Sequence, residues 1–446
     1  MVASSPLGAV IMRRDIVGGV DIKTRLRAHI VHCVRQIDLL TTHSLPYAVV
    51  ISLCSGPGIK GHHGQVAAAQ VKSSGHGEEI LMRTRRDFLK AGAATATTGI
   101  LFCGRGLMHG AHAQQPARQK LPVMISGKRI KTIDIHSHCH FREAGALLGA
   151  DAARYQLPPV NGAEEAFIEV EKRVAAMDAQ AVDLEVLSIN PFWYDRERDL
   201  AAQIVKIQNE KLAELCASTP DRFAAFASLT LQAPDLAVQE LETAVKKQGL
   251  KGAAIGGMVN GIEFSDPKFH PVWAKAEQLG VPLFIHPQGV AELSKRFAGN
   301  GWLGNTIGNP LETTIALSHL IFEGTFDRFP GLKVIAAHGG GFLPSYADRS
   351  DHACMVGPKG CNPDVKLKKA PTEYLKQIYF DSLIFSPEAI RHLAAQVGAA
   401  QIVLGSDYPY PWQLQPVDHI FTSASLSDDD KANILGRTAA KLLNIS

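Results

Sequence analysis

The stretch IDIHSHCHF, residues 133–141, sets His136, His138 and His140 on alternate positions at the end of a short apolar run. Side chains of an extended strand repeat every two residues, so His136 and His138 face the same way and can close on one ion. Further along the chain, His286 ends the run PLFIH, His338 ends KVIAAH and Asp407 ends QIVLGSD. Singly, each would read as a satisfied polar residue or a turn former. Their joint recurrence at the ends of apolar runs is what points to chemistry. Imidazole nitrogens and one carboxylate from His136, His138, His286 and Asp407 suit one divalent ion, zinc first and manganese or iron as alternatives, and such a site keeps a coordination position open. Water held there would lose its proton near neutral pH, and a neutral histidine beside it can accept that proton; His338, in AAHGGGFLP, is the candidate base. His140 lies past the strand, where a third ligand from one segment would be crowded, and is expected either to support the ligands from behind or to be structural.

These residues need elements that bring them together. From residue 130 onward, short β-branched or apolar runs alternate with longer amphipathic ones. The strands are expected at 131–136, 183–189, 222–229, 252–257, 282–286, 333–338, 377–382 and 401–407. Helical patterns such as AAQIVKIQNEKLAELCAS, APDLAVQELETAVKKQG and PEAIRHLAAQVG lie between them, several ending at glycines (Gly249, Gly280, Gly398) suited to a helix terminus. Eight such units predict a closed (β/α)8 barrel over residues 130–446, and a barrel of this kind carries its site at the carboxyl ends of its strands. His136, His138, His286, His338 and Asp407 would then share one mouth.

The remainder of the chain sets the context. Hydrophobic residues make up 46% and charged residues 20%, with a formal net charge of +3 and no long basic or acidic block, so a small molecule rather than nucleic acid is the expected partner. Residues 82–113 have a basic start, a weakly apolar middle and a small-x-small end at Ala111-His112-Ala113; the paired Arg85 and Arg86 in TRRDFLK resemble a twin-arginine export signal. The apolar middle is too short for a stable membrane span. A periplasmic or otherwise exported protein is expected, with Met82 as the start, residues 1–81 as a non-structural upstream extension and 114–129 as a linker. Of the seven cysteines, Cys139, Cys216, Cys354 and Cys361 follow Ala113, without the dense spacing of a disulfide framework; a Cys354–Cys361 pairing is open.

HSH at the end of the first strand, IHP at the fifth, NPLETTIA ahead of FPGLKVIAAHGGG, and GSDYP near the end together resemble the amidohydrolase superfamily, in the branch of the aminocarboxymuconate-semialdehyde decarboxylases and related decarboxylases. The resemblance covers residues 130–446. It implies that His136, His138, His286 and Asp407 are metal ligands, that His338 activates water, that Asp407 also serves catalysis, and that Arg349, in HGGGFLPSYADR, grips a substrate carboxylate in the neighbouring subunit of a homodimer. A second carboxylate-binding arginine has no clear counterpart, Arg142 and Arg154 being the candidates. The carboxylated lysine of binuclear members is missing from GAAIGGMVN, and Lys251 stands at the wrong end of that strand, so one metal is expected. Trp193 and Phe192, after the second strand, are candidates for an apolar wall around a planar substrate, and Asn260, after the fourth, for an amide contact. The expected activity is a metal-dependent decarboxylase (a carbon–carbon lyase) acting on an aromatic or unsaturated carboxylic acid. A hydrolase or hydratase using the same site, on a lactone, amide or unsaturated acid, is the alternative.

Overall fold

Apolar runs flanked by amphipathic helices bury both faces only if the strands stand side by side with helices outside them, and that arrangement is found. The computed structural model describes residues 120–155, 160–299 and 301–445; the extension 1–81 and the signal segment 82–113 lie outside the described residues. The chain first forms a hairpin of β1 (Val123–Ile125) and β2 (Lys128–Ile130), so part of the stretch expected as a linker is paired antiparallel structure. The eight barrel strands follow: β3 (Ile133–His138), β4 (Leu184–Ser188), β5 (Phe223–Ala225), β6 (Ala253–Ile255), β9 (Pro282–Ile285), β10 (Lys333–Ala336), β11 (Ile378–Asp381) and β12 (Ile402–Val403). A small hairpin of β7 (Met258–Val259) and β8 (Ile262–Glu263) lies between the fourth and fifth of these.

All ladders among the barrel strands are parallel, in the runs β3-β4-β5 and β6-β9-β10-β11-β12. Isolated parallel bridges join the runs, Ala227 with Ala253 on one side and Asp134 with Leu404 on the other, and the circle closes as a (β/α)8 barrel. Each of the eight expected strands has its counterpart. The third and the last are shorter than expected; the last ends at Val403, and Asp407 beyond it takes a positive φ of 66°, outside the extended region.

Long helices cover the outside, among them Arg198–Ser218, Pro234–Lys246, Asn309–Phe322, Leu343–Val356 and Pro387–Val397. Their ends are satisfied locally: the Glu197 carboxylate accepts from the Asp199 and Leu200 amides, and the Ser386 hydroxyl accepts from the Ala389 amide. Two packed regions result. One lies between strands and helices; the other fills the barrel with Ile133, Ile135, Leu184, Val186, Phe226, Phe284, Ile335 and Val403 and is stoppered by Ala439, Leu442 and Leu443 from the closing helix Thr438–Leu443. Gly436 permits that closure, since a β-carbon there would fall 1.8 Å from the Lys131 carbonyl oxygen. Among the described residues no helix is long and apolar enough to cross a membrane.

Candidate metal centre

Simple alternation along β3 would not put the histidines where chemistry needs them. Ile133 and Ile135 point into the barrel, so strict alternation would send His136 outward. The β3–β4 register slips between Asp134 and Ser137, pairing Asp134 with Glu185 but Ser137 with Leu187. One extra residue on β3 reverses the parity from there on: Ser137 turns outward and His136 and His138 turn into the mouth. Arg173, on the helix Val170–Gln180, holds the outward side; its guanidinium donates to the Ser137 hydroxyl at 2.6 Å and pairs with Glu185 at 2.6 Å, with both charged side chains buried. The Asp134 carboxylate, just ahead of the shift, accepts from the His136 amide at 3.1 Å and from the Ser406 amide and hydroxyl.

The mouth gathers His136, His138, His286 and Asp407, all buried, with one donor atom from each lying within 4.8 Å of the others. His136 Nε2 stands 3.1 Å from His138 Nε2 and 3.2 Å from Asp407 Oδ1, which is 2.8 Å from His138 Nε2. The His286 ring centroid is 5.0 Å from that of His136 and 4.6 Å from that of His138. Four groups, each able to offer a lone pair to a cation, converge on one point. That is the signature of a cation site, and three nitrogens with one oxygen fit a single divalent ion.

Asp381, at the end of β11, organises the centre although it does not join the donor set. Its Oδ2 lies 2.6 Å from His136 Nδ1, which fixes that nitrogen as the protonated one and leaves Nε2 with its lone pair for the ion. The same carboxylate accepts the His338 amide at 2.9 Å, the Gly339 amide at 2.7 Å and the Leu383 amide at 3.1 Å. It thereby holds His338 at φ 57°, a left-handed conformation that costs roughly 1–3 kcal/mol for a residue other than glycine. The His338 ring sits 5.3 Å from both His136 and His286 by centroid. Gly405 lets these parts approach, as a β-carbon there would lie 3.0 Å from that of Asp381 and 3.1 Å from that of His136.

Electrostatics follow from burial set against these pairings. Burial favours the neutral form of His136, yet Asp407 and the Asp381 hydrogen bond more than offset it and lift its pKa to about 10, so the pocket attracts positive charge. Burial would raise the Asp407 carboxyl, but His136 and His138 hold it well below the usual carboxylate range. Burial, aided by the neighbouring histidines, keeps His286 well below the ordinary imidazole value. His338 is pushed down to about 4, first by burial and then by His136, so it stands as a neutral base near pH 7.

The other sequence candidates are scattered. Trp193 is a core residue rather than a wall of the mouth: its indole is fully buried and its N–H donates to the Leu229 carbonyl at 2.9 Å. Asn260 fastens the loop after β4, donating from its amide to the Tyr194 carbonyl at 2.6 Å, so that donor is engaged within the fold rather than offered to a ligand. His140 lies outside the donor cluster, its ring stacked on Phe192 at 6.3 Å. Arg142 is exposed and covers the Phe167 ring at 3.8 Å, while the Arg154 side chain is outside the described residues. Lys251 precedes β6, and the carboxyl end of that strand carries Gly256 and Gly257 instead. Arg349 is exposed on the helix Leu343–Val356 and is not part of the donor cluster. Cys354 and Cys361 are joined by a disulfide at the end of that helix.

Sequence reasoning missed three residues around the site. Asp381 ends strand QIYFDS just as Asp407 ends QIVLGSD, so the same strand-end signal was present. Glu312, in NPLETTIA, accepts from the Gln288 amide at 2.7 Å and from the Gly289 amide, pinning the loop that follows His286. Tyr410 lays its ring 5.3 Å from that of His138, and no spacing rule announces that contact.

Comparison with known proteins agrees with this geometry. The chain is 33% identical over 276 residues to the 2-amino-3-carboxymuconate-6-semialdehyde decarboxylase of Dictyostelium discoideum, covering 61% of this chain and 76% of that one. It is 32% identical over 291 residues to the gamma-resorcylate decarboxylase of Rhodococcus jostii, covering 61% and 86%. Among solved structures, a 2,6-dihydroxybenzoate decarboxylase complexed with 2,6-dihydroxybenzoate superposes with a TM-score of 0.63 at 27% identity, over 71% of this chain and 99% of that one. A dihydroxybenzoic acid decarboxylase from Polaromonas, with bound manganese and 2-nitroresorcinol, gives 0.63 at 25% identity, over 71% and 97%. The sequence profile of the amidohydrolase family matches residues 133–445, and with the barrel and its four converging donors in place, the chain belongs to that family.

Proposed function

We propose that this protein is a metal-dependent carboxy-lyase that releases CO2 from an aromatic or unsaturated carboxylic acid. The observation that carries this reading is the convergence of His136, His138, His286 and Asp407 beside a neutral His338, in a chain similar along most of its barrel to decarboxylases of aromatic and unsaturated acids. The four donors would hold one divalent ion, whose Lewis acidity neutralises oxygens of the substrate and fixes its orientation. Zinc suits the donor set by chemistry, while the Polaromonas enzyme carries manganese; metal analysis of the purified protein distinguishes them.

The reaction must balance as a carboxylate plus a proton giving CO2 and a C–H bond. The bond to the carboxyl carbon breaks, its electron pair stays on the ring or alkene carbon, and a proton takes the vacated position. His338 and Asp407 are the groups at the mouth that can move that proton. The neutral imidazole of His338 accepts it from solvent and passes it on, and Asp381 keeps the ring in place by holding its backbone. Asp407 remains ionised because of the histidines beside it, so its first task is to hold the ion.

Arg349 completes the reading. It is exposed and makes no ion pair among the described residues, which leaves its fork free to grip a carboxylate in the mouth of a second subunit. The working unit is then a homodimer. Arg349→Ala raises KM with metal content intact, and mixing that variant with His338→Asn restores activity in heterodimers; a subunit-exchanging mixture that stays inactive contradicts the arrangement. Export through the twin-arginine route also belongs to this reading, supported by the Cys354–Cys361 disulfide, which suits an oxidising compartment. A mass spectrum of periplasmic protein cut after Ala113 tests it, and one retaining residues 1–81 refutes it.

The function itself is tested by following CO2 from a panel of hydroxylated aromatic carboxylic acids with metal-reconstituted protein. Product formation without CO2 would mean a hydrolase or hydratase.

A further inference from the structure

Three loops that leave the carboxyl ends of the barrel strands expose large apolar side chains where water would be expected to meet polar ones. Trp302, in the loop after His286, is 52% exposed; Phe385, in the loop after Asp381, is 59% exposed; and Leu414, after Asp407, is 60% exposed. They are not scattered. The ring of the half-buried Trp412 stands 6.2 Å from that of Trp302 and 6.3 Å from that of Phe385, so one cluster draws a ring from each of three loops. These loops start from the strand ends that carry His286, Asp381 and Asp407.

Two contacts tie the cluster to the centre. Trp412 follows Tyr410 directly across Pro411, its amide donating to the Tyr410 carbonyl at 2.8 Å, and the Tyr410 ring lies against the His138 ring at 5.3 Å. Phe385 follows Ile384, whose side chain packs so closely on Gly339, next to His338, that a β-carbon there would come within 2.8 Å of it. The third ring is held under strain. Trp302 has φ 52°, a left-handed conformation rare for a bulky residue, and its carbonyl accepts the Asn305 and Thr306 amides ahead of the π-helical turn Gly304–Gly308. An exposed indole held in an unfavourable backbone conformation by the turn that follows it is a feature the barrel's packing does not explain.

We infer that Trp302, Phe385 and Trp412 form an aromatic collar that binds the distal apolar portion of the substrate, so that the preferred acid carries a second ring or a comparable apolar arm beyond the ring bearing its carboxylate. This rests on the decarboxylase reading for the reacting end of the molecule, whereas the collar concerns the other end. Flat rings at right angles or tilted to one another offer both face and edge to an incoming ring.

The test uses the full chain loaded with manganese and two probes, 2-hydroxybenzoate and its 5-phenyl derivative. CO2 release and direct binding by calorimetry are measured for the unaltered protein and for Trp302→Ala, Phe385→Ala and Trp412→Ala. Stacking of this kind gives roughly tenfold or less per ring, so each variant should lose about three- to tenfold in kcat/KM and in affinity for the two-ring acid, with the one-ring acid changed less than about twofold. Metal content, read separately, stays constant. If neither acid releases CO2, the decarboxylase reading is what fails, and the binding data alone still decide the collar. Equal loss for both acids, or none for either, overturns it. So does a triple variant that turns a dimer into a monomer in sedimentation without changing selectivity, because the cluster would then be a subunit contact.

Discussion

The lower barrel and its mouth are built from the same strands, a few residues apart, and behave as different materials. Below, Ile133, Ile135, Val186, Phe284, Ile335 and Val403 fill the interior and the closing helix seals it. Above, His136, His138, His286, Asp381 and Asp407 crowd into a space from which water is largely excluded. The lower half is stabilised by apolar burial, whose contribution is indifferent to direction. The upper half has polar groups that are buried only because each is paired or converges on a cation position. The transition occurs where the ladders stop. The β3–β4 ladder bulges just before Ser137 and then resumes, and the backbone beyond the strand ends adopts positive φ, as at His338 and Asp407, without breaking a strand pair. A barrel can therefore keep a rigid floor while its rim takes conformations a sheet interior would refuse.

If that contrast is correct, damage to the mouth should abolish chemistry with little loss of fold, and damage to the supports should do the reverse. The largest expected effect is from Asp407→Asn, which keeps the shape but removes the charge that balances three imidazoles. Metal content by atomic spectroscopy should fall well below one ion per chain and activity should fall with it. Next comes His338→Asn, which leaves the four donors untouched: metal stays bound while kcat drops roughly 10²- to 10⁴-fold, the usual worth of a positioned acid–base group. Full activity in that variant would remove His338 from the reaction.

Arg173→Ala tests the support behind the bulge. It leaves the buried Glu185 without its partner and frees Ser137, at a cost of about 3–5 kcal/mol to the fold, read by chemical denaturation. If the bulge depends on this pair, the surviving folded fraction also binds metal more weakly, whereas unchanged affinity would show that β3 keeps its register unaided.

The smallest effect concerns pH. Burial raises the Glu312 carboxyl to about 7, above the ordinary value near 4.5 expected in the unfolded chain. The unfolded state therefore releases this proton first. The associated stability is fully present below about pH 4.5 and is lost as pH rises through about 7. Glu312→Gln should lower the melting temperature at every pH by weakening the bonds to Gln288 and Gly289, yet flatten its decline between those limits. An unchanged slope would mean that Glu312 does not titrate there.

Much of this was legible in the chain because it depends on local pattern. The eight apolar runs, the alternation of His136 and His138, and the strand-final His286, His338 and Asp407 are periodic or positional signals, and the barrel follows from them. What was not legible depends on contacts distant in sequence. The β3 bulge is visible only in the register against β4, and the fastening of Trp193 to the Leu229 carbonyl only once that loop has folded. Asp381 is the instructive case, since its strand-end position was plain but its partner is 245 residues away. Aromatic residues in SINPFWYD suggested a pocket wall, whereas burial made Trp193 part of the core and left the exposed rings to Trp302 and Phe385.

The most direct test of the central claim is CO2 evolution by the full chain, measured first after chelation and then after stoichiometric addition of manganese or zinc, with hydroxylated aromatic carboxylic acids as substrates. The account predicts no release from the chelated protein and restored release, matched by formation of the decarboxylated product, at one equivalent of ion per chain. Equal CO2 evolution without metal, or turnover of a substrate by the metal-loaded protein with no CO2 at all, would contradict it.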